Sequence, residues 1–183
     1  MLYYVPNHFY DKSSVITTSS DNIVSRSSLL CGTQNIHLKG KSIIAKDSIV
    51  RGDFAKIVIG KYFYLGESSV IRPCSKVLLD KGLAFYPLHI GNYVTIGSNV
   101  VSNAKSIGSC VVVGDNVVIG SRVVIRDCVF ISSGTVIPDD AIIAPFSYVS
   151  GVPYRFIREL PEGTLELFKT NSITKRNQFI PTD

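Results

Sequence analysis

The chain has 183 residues, of which 45% are hydrophobic and 18% charged, a composition that suits one domain with a sizeable core. Its net charge is +5, but lysine and arginine are dispersed and form no basic, aromatic-rich run, which argues against nucleic-acid binding. The sequence lacks a signal-peptide pattern and a membrane-spanning run of about 18 apolar residues, so we expect a cytoplasmic protein.

Residues 1–30 form the first predicted unit, a cap. They show no regular spacing of apolar residues and are rich in tyrosine, serine and threonine. We expect an extended strap that covers an open strand edge of the next unit. His8 is expected to lie at the surface or in packing rather than to act as a ligand.

Residues 31–150 form the second predicted unit, a coil of short repeats. Apolar residues six apart first occur faintly, as in Ile43 and Ile49, and the spacing later becomes unbroken. Its aliphatic members from residue 107 onwards are Ile107, Val113, Ile119, Ile125, Ile131, Ile137, Ile143 and Val149. No helix keeps residues six apart on one face, whereas short strands joined by turns do. Stacking such strands gives a parallel β-solenoid.

The segment 73–88, PCSKVLLDKGLAFYPL, interrupts the repeats as an inserted loop. It is unusually apolar for a surface loop, and loops inserted into solenoids often contain functional residues. Two interpretations stay open: the loop packs back onto a flank of the solenoid, or it contacts a partner.

Residues 151–183 form the third predicted unit, a helix and a tail. The sequence Ser150-Gly151-Val152-Pro153 breaks the repeat. Pro161 can occupy the first position of a helix, and Leu165 and Phe168 give a short apolar stripe after it.

The four cysteines are far apart in sequence and form no Cys-x-x-Cys pair. This spacing predicts free thiols in a reducing compartment, with structural zinc as the weaker alternative. The cysteines are Cys31, Cys74, Cys110 and Cys128.

The repeat resembles that of the left-handed parallel β-helix family, in which three hexapeptides make one triangular turn. In each repeat an aliphatic residue precedes a glycine or polar residue, and a small residue follows four positions after the aliphatic one. The resemblance implies an all-β fold, a left-handed parallel β-helix of hexapeptide repeats with a C-terminal helix along one flat face. The handedness comes from the resemblance alone.

The stretch VRGDFAKIVIG at residues 50–60 resembles the signature of γ-class carbonic anhydrases, with Arg51 and Asp53 as its paired residues. In that family three histidines hold the metal. The positions that correspond to them here are Arg72, Ser98 and Asn103. Catalytic zinc needs three protein donors and an open position, which these residues do not provide. We therefore expect the scaffold of that family with no metal and no cofactor.

Hexapeptide-repeat acyltransferases also resemble the chain, in the repeat and the C-terminal helix, and they use a histidine as general base in a cleft between subunits. The candidates here are His37 and His89, and His89 lies where the inserted loop rejoins the repeats. An acyltransferase or a carbonic-anhydrase-like enzyme is therefore the alternative function. The simpler role of His89 is to hydrogen-bond at the base of the loop.

Longer stretches resemble the dynactin subunit 5 family, over about residues 24–162 and with the same insertion. The specific ones are VSRSSLLCG at 24–32, AFYPLHIG at 84–91 and VIPDDAIIAPFSYVSGVPYRFIRELPEGT at 136–164. The resemblance implies a non-catalytic structural subunit of the dynactin pointed-end complex, which is cytoplasmic and cytoskeletal. It further implies a heterodimer with a second β-helical subunit, and binding to an actin-related protein and to cargo adaptors for dynein-based transport.

Contact residues for these partners are hypotheses that we place on the inserted loop, at its base and after the last repeat. They are Arg72, Leu79, Leu83, Phe85, Tyr86, His89, Tyr154 and Phe156. Association with membranes is expected only peripherally, through the complex. A homotrimeric scaffold of the γ-class type is a further hypothesis.

Overall fold

The structure is a computed structural model that describes residues 5–182. Residues 1–4 of the predicted cap and Asp183 of the predicted tail lie outside the described part. Within it, short strands wind into a three-sided parallel solenoid of about six turns, and each coil contributes one strand to each side. The sides are named below for what lies on their outer surfaces.

The first side, the aliphatic sheet, has six parallel strands. They are β4 (Leu29–Cys31), β7 (Ile49–Arg51), β10 (Val70–Ile71), β15 (Val101–Ser102), β18 (Val118–Ile119) and β21 (Val136–Ile137). The second side, the histidine sheet, also has six. They are β5 (Ile36–Leu38), β8 (Ile57–Ile59), β13 (Leu88–Ile90), β16 (Ser106–Ile107), β19 (Val124–Ile125) and β22 (Ile142–Ile143).

The third side, the helix-covered sheet, has nine strands. They are β2 (Val15–Thr17), β3 (Ile23–Ser25), β6 (Ile43–Ile44), β9 (Tyr64–Leu65), β14 (Thr95–Ile96), β17 (Val112–Val113), β20 (Phe130–Ile131), β23 (Ser147–Ser150) and β24 (Arg155–Glu159). Pairing is parallel except at the two ends, where β2 pairs with β3 and β23 pairs with β24 in antiparallel fashion. These end strands cover the first and last coils of this side.

The core fills the interior of the solenoid. Each of the eight aliphatic residues that recur every six positions from Ile107 to Val149 is at most 2% exposed. They point inwards because residues of a strand alternate between its two faces, and every coil repeats the same register. The prediction of an all-β parallel β-helix built from hexapeptide repeats is confirmed.

Parallel pairing begins earlier than the sequence pattern does. Strand β3 pairs with β6 from Ile23 onwards, and β4 pairs with β7 from Leu29 onwards, within the segment predicted as a cap. The cap itself contains β1 (His8–Asp11), a short 3₁₀-helix at Lys12–Ser14 and β2. These first coil strands were missed although Val24 and Leu30 are six residues apart, because a run this short does not identify a repeat.

A single α-helix, α1 (Thr164–Asn177), occurs among residues 5–182, and it is not long and apolar enough to cross a membrane. It begins three residues after Pro161, which lies in the preceding turn and accepts a 2.9 Å hydrogen bond from the Thr164 amide. Phe168 of the helix packs with Leu160 and Cys128 on the outside of the helix-covered sheet. The apolar stripe predicted a helix correctly, while its start was placed too early.

The C-terminal residues form strand β25 (Phe179–Thr182) rather than a loose tail. It pairs in parallel with β1, and the ring of His8 stacks on Phe179 with centroids 4.4 Å apart. His8 is thus a packing residue, as the sequence predicts. The strand could not be foreseen because its partner lies about 170 residues away along the chain.

Helix α1 packs on a column of corner residues whose backbone is left-handed. Tyr93, Cys110, Cys128 and Phe146 have φ between 54° and 58°, a conformation that costs a residue other than glycine about 1–2 kcal/mol. Their side chains contribute to the apolar cluster beneath the helix, which offsets that strain. Burial raises the pKa of the Cys128 thiol to about 11, so this cysteine is an inert packing residue. All four cysteines are free thiols.

Candidate functional site

The structure brings together two of the three positions that correspond to metal ligands. Arg72 and Asn103 follow neighbouring strands of the aliphatic sheet, and Nε of Arg72 donates a hydrogen bond to Oδ1 of Asn103. Ser98 lies at the opposite edge of the same sheet, in the turn between β14 and β15. Its amide donates to Asp115 Oδ1 at 2.7 Å. The three positions therefore do not converge within one chain.

The residue types at these positions do not form a metal-binding set. Arginine is cationic and has no acceptor atom, and a serine hydroxyl and an asparagine amide are poor zinc ligands compared with histidine and cysteine. Among residues 5–182, no three His, Cys, Asp or Glu side chains lie close enough together to hold a metal ion. A metal centre at these positions is not supported by the donors present.

A ladder of outward-facing aliphatic side chains runs along the aliphatic sheet. Strand register places its six members opposite one another in successive coils: Leu29, Ile49, Val70, Val101, Val118 and Val136. Leu29, Val101 and Val118 are 55%, 37% and 43% exposed, and the other three are half-buried. With strands about 4.8 Å apart, the aliphatic ladder is about 24 Å long. The described chain leaves much of it uncovered.

The other two sides present different surfaces. On the helix-covered sheet, the outward residues Val112, Phe130 and Tyr148 pack against the cluster beneath α1. On the histidine sheet, polar residues interrupt the outward row. That row consists of His37, Val58, His89, Ser106, Val124 and Ile142. The aliphatic ladder is therefore the side on which an unbroken apolar row is open to a partner.

The inserted segment is an antiparallel hairpin of β11 (Ser75–Leu78) and β12 (Gly82–Phe85) beside the edge of the aliphatic sheet. Its base is tied to the solenoid: Phe85 stacks on Phe54 with ring centroids 4.6 Å apart and an angle of 5° between the rings. The Arg51 guanidinium lies 4.1 Å from the centre of the Phe54 ring. The hairpin base thus packs back on the solenoid, while Leu79 at its tip is fully exposed.

Two ion pairs organise the same edge. Arg51 donates to both carboxylate oxygens of Asp53 at 2.9 Å, and these hydrogen bonds hold the pKa of Asp53 below its usual value. Arg122 donates to both oxygens of Asp140 at 2.6 and 2.8 Å and to the carbonyl of Ser75 at 3.0 Å. Its hydrogen bonds likewise lower the pKa of Asp140. The second pair fixes the first residue of the hairpin to the adjoining coil.

The eight predicted contact residues do not form one surface. Arg72, Leu83 and Phe85 line one groove of about 540 Å³ between the hairpin and the solenoid. Tyr86 is half-buried beside it, with Lys105 Nζ 5.9 Å from the ring centre.

The remaining predicted contacts lie elsewhere on the molecule. His89 is exposed on the histidine sheet. Tyr154 packs partly against the core at the C-terminal end of the solenoid, and Phe156 is 61% exposed on the end strand β24. Leu79 projects from the hairpin tip. These residues are therefore too scattered to contact one partner together.

The two histidines considered as general bases lie in one outward row of the histidine sheet, with Val58 between them. A catalytic histidine is normally oriented by a third group, such as a carboxylate on its second ring nitrogen. Within the described residues, neither His37 nor His89 makes a hydrogen bond to a carboxylate. Their geometry does not favour acid–base catalysis within one chain.

A three-sided solenoid of six-residue repeats with a C-terminal helix defines the hexapeptide-repeat class of proteins. The N-acyltransferase AntD from Bacillus cereus, in complex with dTDP and 3-hydroxybutyryl-CoA, matches with a TM-score of 0.68 and 15% identity, over 93% of this chain and 99% of AntD. A hexapeptide transferase family protein from Anaplasma phagocytophilum matches with a TM-score of 0.59 and 18% identity, over 88% and 92% of the two chains. At these identities the similarity shows the fold alone.

Within this class the chain belongs to the dynactin subunit 5 family, whose sequence model matches residues 4–183. Dynactin subunit 5 of Dictyostelium discoideum is 41% identical over 173 residues, 94% of this chain and 87% of that protein. A probable carbonic anhydrase of Methanocaldococcus jannaschii is 42% identical over 127 residues, 69% and 74% of the two proteins. The predicted resemblance to the dynactin subunit 5 family is confirmed, and it supports the role of a dynactin subunit.

The aliphatic ladder was missed in the sequence, although a signal for it exists. Each of its members directly precedes the inward residue of its strand, as Val118 precedes Ile119 and Val136 precedes Ile137. In a solenoid with three repeats per coil, such pairs at every third repeat place a second apolar residue on the same outer side. Reading the repeats in threes would have identified this surface.

Proposed function

We propose that the chain is a non-catalytic structural subunit of the dynactin pointed-end complex. In this role it binds a second β-helical subunit, an actin-related protein and cargo adaptors for dynein-based transport. It needs no cofactor, and it reaches membranes only peripherally, through the complex. The observation that carries the proposal is the uncovered aliphatic ladder, on a chain whose family membership makes it a part of a larger assembly.

The ladder suits a second β-helical subunit because the two surfaces would match in shape. A row of aliphatic side chains with strand spacing forms a flat, straight strip, and another β-helix presents a strip of the same spacing. Burying partly exposed valine and leucine side chains stabilises such a complex by about 25 cal/mol per Å² of apolar surface. A standard interface buries about 800 Å² on each partner, so the surroundings of the ladder must contribute as well.

The loss of catalytic donors supports the non-catalytic part of the proposal. Arg72 occupies one corresponding ligand position, and its side chain already interacts with Asn103 at another. A cation in this place opposes the binding of Zn²⁺ through charge repulsion. The alternative, an acyltransferase or a carbonic-anhydrase-like enzyme, would require a second chain to complete the site.

Affinity capture tests the proposal directly. The tagged chain, expressed in the cells from which it comes, should recover a second β-helical protein and an actin-related protein, both identified by mass spectrometry. Recovery of neither would refute the pointed-end assignment. Purified chain that turns over CO₂ or an acyl-CoA, with the activity lost in His89→Ala, would instead favour the enzymatic alternative.

A further inference from the structure

A basic edge borders the aliphatic ladder. Arg51 and Arg72 directly follow the inward residues Val50 and Ile71, which are register partners on neighbouring strands. The two arginines therefore lie side by side at one edge of the aliphatic sheet, two residues beyond the ladder members of their strands. A partner that covers the ladder would also reach this edge.

The arginines along this edge differ in how their charges are compensated. Arg51 forms a two-point pair with Asp53, and Arg122, nearby in the groove, does so with Asp140. Arg72 has only the neutral amide oxygen of Asn103, which it reaches through Nε. Its two terminal nitrogens, Nη1 and Nη2, have no hydrogen-bond or ion-pair partner within residues 5–182. Arg72 is therefore an exposed cation whose two terminal nitrogens can still donate hydrogen bonds.

We infer that the partner docked on the aliphatic ladder presents an aspartate or glutamate carboxylate to Nη1 and Nη2 of Arg72. This inference rests on the proposed docking of a second β-helical subunit. When the ladder is covered, water is excluded beside Arg72, and an unpaired guanidinium there would disfavour the complex. A carboxylate matches the planar fork of donors in two-point geometry. Asn103 is the positioning residue, because its hydrogen bond fixes the plane of the guanidinium.

Binding between the purified chain and the β-helical subunit recovered by affinity capture tests this inference. Loss of a hydrogen bond between charged groups in Arg72→Gln should weaken binding at least about tenfold. Asn103→Asp should also weaken binding, because the new carboxylate at position 103 would pair with the Arg72 guanidinium and compete with the partner's carboxylate. Both variants should also show a smaller decrease of affinity with added salt than the wild type does. Unfolding curves that match the wild type will show that each variant is folded, as expected for side chains at the surface.

A coupling experiment can identify the carboxylate itself. In the Arg72→Lys variant, a water-soluble carbodiimide activates the partner's carboxylate, the lysine amine displaces the urea, and an amide joins the two chains. Mass spectrometry should find position 72 linked to an aspartate or glutamate of the partner. Arg126→Lys, a change at an exposed position on a different corner, is the control and should give no such link.

The outcomes separate this inference from the docking on which it rests. Weaker binding in Arg72→Gln and an amide at position 72, together with loss of binding in Val118→Asp, support the inference. Wild-type affinity of Arg72→Gln with loss in Val118→Asp overturns the inference and leaves the docking intact. Wild-type affinity of Val118→Asp overturns both.

Discussion

Arg72 and Asn103 lie on neighbouring coils of the solenoid, and Nε of Arg72 donates a hydrogen bond to Oδ1 of Asn103. Two positions that correspond to metal ligands in γ-class carbonic anhydrases are thus occupied by a cation and its neutral acceptor. The third, Ser98, lies across the aliphatic sheet. The edge that a metalloenzyme would use for chemistry is here a charged border of an apolar surface.

The inward and outward residues of one strand should differ sharply in their effect on stability. Ile119 is fully buried, whereas its neighbour Val118 is 43% exposed on the aliphatic ladder. Ile119→Ala should lower the free energy of unfolding by about 2–5 kcal/mol, because it leaves a cavity in the core. Val118→Ala should change it by about 0.5 kcal/mol. Urea titration measures both, and equal effects would contradict the placement of the two side chains.

Glycine at the corners allows the coils to stack closely. A Cβ added to Gly97 would lie 2.7 Å from the carbonyl carbon and oxygen of Gly114 in the next coil. Because backbone must move to make room, Gly97→Ala should destabilise the protein by about 1–3 kcal/mol. Gly163, before the helix, has no atom within 4 Å of a Cβ placed there. Gly163→Ala should therefore be neutral or slightly stabilising, and calorimetric unfolding of both variants checks the contrast.

The stack of Phe54 and Phe85 should hold the hairpin against the solenoid. Removing it in Phe85→Ala costs about 0.5–1.5 kcal/mol for the ring pair beyond the loss of buried area. Local opening of the hairpin should then speed tryptic cleavage at Lys76 and Lys81 several-fold. Phe156→Ala removes an exposed ring at the end of the solenoid and is the control. A cleavage rate in Phe85→Ala no faster than in the control would show that the stack does not hold the hairpin.

The ion pairs of Asp21 should make the free energy of unfolding depend on pH. Lys41 Nζ lies 2.8 Å and Arg176 Nη2 2.7 Å from its carboxylate, and the hydrogen bond from Lys41 is the main cause of its lowered pKa. The unfolded chain therefore binds a proton more readily than the folded one. The stabilisation by these ion pairs is fully present at pH values above the pKa of an aspartate in the unfolded chain. It is lost as the pH falls through the lowered pKa of Asp21 in the folded chain.

Asp21→Asn tests this dependence, and asparagine tolerates the positive φ of 59° at this position. Since the carboxylate is partly exposed, the contribution should be below about 1 kcal/mol. The free energy of unfolding should decrease less between pH 7 and pH 3 in this variant than in the wild type. Asp80→Asn, at the hairpin tip, should keep the wild-type decrease. An unchanged decrease in Asp21→Asn would contradict the assigned pairs.

The sequence was sufficient to predict the coil but not its two ends. The six-residue spacing from Ile107 to Val149 is a local pattern, and every coil repeats it, so its burial follows directly. The pairing of β1 with β25 joins residues about 170 positions apart and has no local signal. For the same reason, the cap strands and the start of α1 depend on tertiary packing that spacing alone does not encode.

The candidate site was predicted in part. Comparison with the metal-ligand positions of γ-class carbonic anhydrases identified Arg72 and Asn103 from the sequence. Their hydrogen bond could not be predicted, because it depends on the stacking of two coils. Predicting the aliphatic ladder requires the number of repeats per coil as well as the six-residue pattern. The eight residues assigned to partner contacts lie on several parts of the molecule, and their roles stay predictions.

The most direct test of the central claim, that the aliphatic ladder docks a second β-helical subunit, is quantitative capture with a double variant. Val101→Asp combined with Val118→Asp places two charges on neighbouring strands of the ladder without touching the core. Ile142→Asp, at a side chain 63% exposed on the histidine sheet, is the matched control. The account predicts that the double variant loses the β-helical partner while the control retains it. Wild-type recovery by the double variant would contradict it.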